Sequence, residues 1–206
     1  MIQKKELSLD YQVENLFPTP IQYFKINNFD VIKNDIVEYA YDLRDKEKDG
    51  RVASNRGGYQ SNAFNLKGGD VLQDFLLGVV NNIPSLKNDV KVDCHAWINI
   101  NPPLSFNMKH CHPTCDVAGV MWIKIPKNSG DIVFTSPYNW MCYNELISYN
   151  DDFKKTTNYY HTYSYPAREG VIILFPAHLE HKVEENNSGE DRISASFNLN
   201  FNSISN

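Results

Sequence analysis

No apolar run in this chain approaches the ~20 residues needed to cross a bilayer. The opening stretch, Met1 to Phe17, carries two lysines but no apolar segment of the kind a secretory leader requires. Basic residues are not in excess: 20 Lys and Arg stand against 25 Asp and Glu, a net charge of −5. That balance removes any general attraction to nucleic acid or an anionic membrane. Cysteine is sparse. Cys94, Cys111, Cys115 and Cys142 could close two bridges, but nothing else points to an oxidising compartment, so free thiols are expected. There is no internal repeat and no low-complexity linker. These absences leave the expectation of one cytoplasmic domain over residues 1–206. With 42% hydrophobic and 22% charged residues, the chain is long enough for a substantial core.

The pattern that is present changes character near residue 90. Before it, two helices are expected. In the first, Asp30 is the candidate N-cap, and Ile32, Ile36, Tyr39, Ala40 and Leu43 recur at three-to-four spacing up to the stop at Gly50. The second begins after Asp70 and places Leu72, Phe75, Leu76, Val79, Val80 and Ile83 on one side before Pro84. Gly57 to Asn62 reads as a mobile polar loop. After residue 90, short β-branched and aromatic runs alternate with turn signals. Strands are expected near 91–100, 105–112, 117–125, 131–135, 158–165, 171–175, 180–184 and 192–201. The fold class that follows is mainly β with N-terminal helices: a helical buttress over about 28–85 and a jelly-roll barrel over about 90–201. The irregular stretch 136–157 is a candidate lid. Tyr59, Gln60, Trp122, Trp140 and Tyr143 are candidates for the cavity mouth.

The chemistry concentrates in two segments, His110-Cys111-His112-Pro113 and Phe175 to His181 followed by Arg192-Ile193-Ser194. Residues one apart on a strand share a face, so His110 and His112 can aim into a barrel together. A third His from a facing strand would complete three metal ligands and leave open positions, the arrangement of mononuclear non-haem iron sites. His181 is favoured over His178 for this role because it opens a strand. The usual set is two His and one carboxylate. Here His112 stands in the carboxylate position, and Asp116 is the alternative carboxylate ligand. A zinc set of Cys111, Cys115, His178 and His181 has spacings unlike a finger.

Arg192 offers a planar two-pronged donor for a buried carboxylate. Ser194 lies on the same strand face, and Ile193, Ala195, Phe197, Leu199 and Phe201 fall on the other. The competing role for Arg192 is a surface pair with Glu190 or Asp191. Asn99 can also reach a cosubstrate, or can serve only as a barrel-lining hydrogen-bonding residue.

These segments, with Gly58-Tyr59-Gln60-Ser61, Trp97-Ile98-Asn99, Ala118 to Trp122 and Gly130 to Phe134, resemble the 2-oxoglutarate–Fe(II) oxygenase superfamily. Within it, the chain resembles a small family similar to prolyl 4-hydroxylase catalytic domains, of marine bacterial and phage type. The resemblance covers most of the chain and is most specific from Gly170 to Asn198. It implies a double-stranded β-helix, Fe(II) on His110, His112 and His181, and 2-oxoglutarate on Arg192 and Ser194. It also implies molecular oxygen as co-reactant and hydroxylation of a peptide or small-molecule substrate, with release of succinate and carbon dioxide. Two other functions are consistent with parts of the pattern. A cupin-like three-His dioxygenase explains His110 and His112 but not Arg192 with Ser194, and a non-catalytic jelly-roll binding module needs no metal.

Overall fold

The structure, a computed structural model, describes residues 11–138 and 143–203. Trp140, Met141 and Cys142 lie outside the described residues, as does the side chain of Tyr143.

Among the described residues the chain forms twelve strands and four helices: β1 Gln22–Lys25, α1 Phe29–Lys46, β2 Asn55–Arg56, β3 Tyr59–Gln60, β4 Phe64–Asn65, α2 Val71–Val80, β5 Val90–Asn101, β6 Phe106–His110, β7 Val117–Lys124, β8 Ile132–Thr135, α3 Tyr143–Ser148, α4 Asp151–Thr157, β9 Thr162–Tyr165, β10 Val171–Pro176, β11 His181–Val183 and β12 Arg192–Ser203. The strands make two antiparallel sheets. The larger runs β1-β10-β7-β12-β5-β3, with β4 also on β5, and the smaller runs β2-β6-β11-β8-β9. This is the jelly roll that the sequence pattern anticipates.

Two apolar layers hold it. α1 and α2 cover the outer face of the larger sheet, where Ile36, Ala40, Leu72 and Leu76 meet Ile98, Met121, Ile123, Ile193, Ala195 and Phe197. A second cluster fills the space between the sheets with Val120, Trp122, Phe134, Ile173, Phe175 and Leu179. Each fully buried Leu, Ile or Phe in these layers contributes about 1.5–3 kcal/mol. Gly119 on β7 is required by close approach: a Cβ there would lie 2.2 Å from the Phe197 ring.

The helix ends differ from the sequence reading. α2 starts as expected, with Asp70 accepting from the Gln73 N–H at 2.8 Å and Gln73 Nε2 donating back at 2.6 Å. α1 starts one residue before Asp30, at buried Phe29, so Asp30 stands in the first turn and complements the helix dipole rather than capping it. Within the irregular stretch 136–157, α3 and α4 are helical. Asn150 caps α4 by accepting from the Phe153 N–H at 2.8 Å.

The polar segment at 57–62 is built into the barrel. β2 pairs with β6 in the smaller sheet, and β3 pairs with β5 in the larger one. The chain crosses between sheets at Gly57, whose φ of +72 suits glycine. Buried Asn55 braces the crossing: its Nδ2 donates to the Arg51 and Gly58 carbonyls, and its Oδ1 accepts from the Ala53 N–H. No helix among the described residues is long and apolar enough to cross a membrane.

Candidate metal and cosubstrate site

The strand β6 ends at His110, two residues short of the stretch expected from sequence. His112 lies in the turn that follows. Its position is fixed by its backbone N–H, which donates to the Ala177 carbonyl at 2.8 Å, and by its carbonyl, which accepts from the Cys115 N–H. Ala177 belongs to the turn that leads into β11, so this bond draws His112 toward His181. In register, His181 sits directly opposite His110 across the β6–β11 pair. The ring-nitrogen donors of His110, His112 and His181 lie within 4.8 Å of one another. Each offers one ring nitrogen, and together they could hold one metal ion.

The protonation state suits a metal. His110 Nδ1 lies 2.7 Å from the Met108 carbonyl and His181 Nδ1 lies 2.9 Å from the Leu179 carbonyl. A carbonyl only accepts, so both Nδ1 atoms carry the proton and both Nε2 lone pairs stay free. Burial pushes all three imidazoles toward the neutral form, His112 down to about 4 and His181 down to about 3, with His110 also lowered. Aromatic rings flank the cluster: the Phe175 ring meets His181 edge-on at 4.8 Å, and Trp97 stacks on His112 at 6.0 Å.

The other ligand candidates are elsewhere. Asp116 is exposed, and its Oδ2 accepts from the Phe201 N–H at 2.7 Å, so β12 holds this carboxylate away from the cluster. His178 is exposed. Among the described residues, Cys94, Cys111 and Cys115 are free thiols, and neither Cys111 nor Cys115 joins the His cluster.

β12 builds the rest of the site. Arg192, Ser194, Ser196 and Asn198 alternate into a cavity of about 700 Å³ that also reaches the three His. Arg192 is 2% exposed, and its Nε and Nη1 have no hydrogen-bond partner among the described residues. The acids beside it in sequence are engaged elsewhere: Glu190 with Lys124 at 2.9 Å, Asp191 with Arg44 and the Tyr41 hydroxyl. The surface-pair alternative for Arg192 therefore does not occur. Burial lowers the guanidinium to about 10, with the field of Asp131 opposing that shift, so it remains charged at neutral pH. A buried guanidinium without a counter-charge is costly, and an anionic ligand satisfies it.

Ser194 is buried on the same cavity face. Asn99 also faces the cavity, but its Nδ2 donates to Ser196 Oγ at 2.9 Å. Trp122 was expected at the mouth. It is instead fully buried on β7, directly opposite Ser194 in register; it lines the cavity, and its indole N–H has no partner among the described residues. The inward alternation of Ala118, Val120 and Trp122 is the sequence signal that locates it. Of the other mouth candidates, Gln60 is buried and lines the cavity, whereas Tyr59 packs against the helix-side core.

The fold is a jelly roll whose cavity brings together three His that could hold a metal ion and a buried Arg with open N–H groups. Residues 95–198, half of the chain, match the family model described as "Putative 2OG-Fe(II) oxygenase". The chain belongs to this family of 2-oxoglutarate/Fe(II)-dependent dioxygenases, whose reaction uses Fe(II), 2-oxoglutarate and molecular oxygen. Among solved structures it is similar to a Pseudomonas putida prolyl-4-hydroxylase, with 13% identity and a TM-score of 0.60 over 88% of this chain and 92% of that one. It is also similar to the non-heme alpha ketoglutarate dependent carbocyclase SnoK from nogalamycin biosynthesis, with 12% identity and a TM-score of 0.61 over 88% and 79%. A prolyl hydroxylase from Trichoplax adhaerens, solved with a hypoxia inducible factor peptide fragment, shares 14% identity at a TM-score of 0.52 over 86% and 82%. At these identities the likeness is one of fold. No curated protein matches the chain.

Proposed function

We propose that this chain, folded as one domain, hydroxylates a C–H bond of a peptide or small metabolite, with release of succinate and carbon dioxide. In this reading His110, His112 and His181 hold Fe(II), and Arg192, Ser194 and Trp122 take the far carboxylate of 2-oxoglutarate. The observation that carries it is the buried guanidinium of Arg192, with Nε and Nη1 unpartnered among the described residues, in the same cavity as the three His. A three-His dioxygenase without 2-oxoglutarate leaves that charge unexplained.

When bound, the iron and cosubstrate supply oxidative decarboxylation coupled to oxidation of the substrate. The protein's own residues do the rest. The Nδ1–H bonds of His110 and His181 fix ring orientation and tautomer, so no proton has to leave either ring for a metal to bind. Arg192 provides a charged anchor, and Trp122 adds a neutral N–H beside Ser194. Asn99, tied to Ser196, keeps the neighbouring wall of the cavity polar and fixed. Phe134, Phe175 and Trp97 around the His cluster keep bulk water from one side of it. With three neutral ligands and no carboxylate among them, the site carries one more positive charge than a two-His, one-carboxylate set. That extra charge favours a dianionic cosubstrate and weakens retention of the cation.

The test is an anaerobic titration of the Fe(II)-loaded protein with 2-oxoglutarate, followed by the visible charge-transfer absorption of the chelate. The band is expected in the wild type and not in His181→Ala. Iron binding without a band would overturn the assignment of the cosubstrate. No iron binding would overturn the assignment of the metal ligands.

A further inference from the structure

The cavity is electrostatically lopsided. In a chain with net charge −5, the described residues lining it include Arg51, Arg56, Lys109 and Arg192 and not one Asp or Glu. Arg192 is the buried anchor already described. Lys109 is neutralised by Glu180 at 2.9 Å. That leaves Arg51 and Arg56, both exposed, neither in an ion pair among the described residues.

Their placement is fixed rather than incidental. Arg56 is on β2, paired with Phe106 on the strand that ends in His110. Its Nη1 donates to the Ala53 and Asn55 carbonyls, which holds the guanidinium while leaving its other N–H groups free of those bonds. Arg51 is joined to the other sheet: its N–H donates to the Gln60 carbonyl at 2.7 Å, and Gln60 pairs with Asn99. Asn55 ties the two ends of this segment together. The crossing between the sheets thus places two exposed cations on the lining of the cavity in which Arg192 lies buried. A five-carbon diacid seated on Arg192 leaves much of the ~700 Å³ free, since a cavity of this size accommodates a drug-sized ligand.

We infer that the primary substrate is itself anionic, and that Arg51 and Arg56 bind a carboxylate on it while the carbon to be oxidised faces the His cluster. The inference rests on the reading of the cavity as a 2-oxoglutarate/Fe(II) site and names the substrate class for it. The carboxylate can come from a free small acid or from an acidic side chain of a peptide. Both present the planar acceptor that a guanidinium matches.

The test is calorimetric titration under nitrogen of the full chain loaded with Fe(II) and 2-oxoglutarate. Two matched probe sets are used: N-acetyl amino acids against their N-acetyl amides, and acetylated, amidated Gly-Glu-Gly peptides against Gly-Gln-Gly. Members of at least one carboxylate set are expected to bind, with the uncharged counterparts at least about fivefold weaker. Arg51→Gln with Arg56→Gln should abolish that preference and change 2-oxoglutarate affinity by less than about twofold. The acid set identifies a small-molecule substrate, and the Glu peptides identify a peptide one. Equal binding of acids and amides, binding by neither, or an unaltered preference in the double variant overturns the inference. So does a loss of 2-oxoglutarate affinity as large as the loss of probe binding, which would assign both cations to the cosubstrate. Failure of 2-oxoglutarate to bind the wild type, read in the same cell before any probe is added, would sink the underlying site assignment instead.

Discussion

The two faces of β12 do opposite things with the same backbone. On one face, Ile193, Ala195, Phe197 and Leu199 are fully buried under the helices. On the other, Arg192, Ser194, Ser196 and Asn198 line the cavity. The outer face is satisfied within the protein. The inner face is not: among the described residues Arg192 Nε and Nη1 have no partner, nor has Trp122 Nε1 on the adjacent strand. One side of the strand is packed into the apolar core, and the other carries open N–H groups into the cavity, a division by residue parity.

The largest effect should come from the apolar face. Phe197→Ala removes a fully buried ring seated against Gly119, and should cost about 3–5 kcal/mol in denaturant unfolding. If that loss is under about 1 kcal/mol, the separation of the faces is wrong. Next comes Arg192→Met, which deletes an unpaired buried charge. It should leave unfolding free energy unchanged or raised while weakening 2-oxoglutarate by about 3 kcal/mol, on the order of 100-fold. Trp122→Phe should cost cosubstrate affinity about 1 kcal/mol, roughly fivefold, measured on the folded protein by titration. Unchanged affinity would remove the indole N–H from the cosubstrate's contacts.

The last effect is on pH. The buried His residues are depressed from 6.5, His112 to about 4 and His181 to about 3. Below 6.5 the unfolded chain therefore binds protons that the folded metal-free protein does not. Stability of the metal-free form should be complete above that value and fall as pH drops toward 4 and then 3. Metal retention should fall in the same direction, since protonated imidazole cannot ligate. Unfolding curves across this range check it, and His181→Phe should flatten the slope.

β12 was readable because residues 192–201 alternate with period two, so the parity of Arg192 and Ser194 follows from spacing alone. His181 was readable because it opens a strand two residues long beyond it, in register with His110. Other parts carried no periodic signal. β2, β3 and β4 are two residues each and form only because the long neighbours β5 and β6 offer free edges. The end of β6 at His110 depends on a long-range bond from His112 to Ala177, which no local pattern encodes. Trp122 looked like a mouth residue by type. Its depth comes from packing between the sheets, and its importance from an N–H that the packing leaves unpaired.

The most direct test pairs two readings on one variant: equilibrium unfolding and anaerobic 2-oxoglutarate titration of Arg192→Met beside the wild type. A fold as stable as the wild type with cosubstrate affinity reduced on the order of 100-fold is the predicted result. Retained affinity, or loss of fold and affinity together, would contradict the assignment of the inner face of β12 to cosubstrate binding.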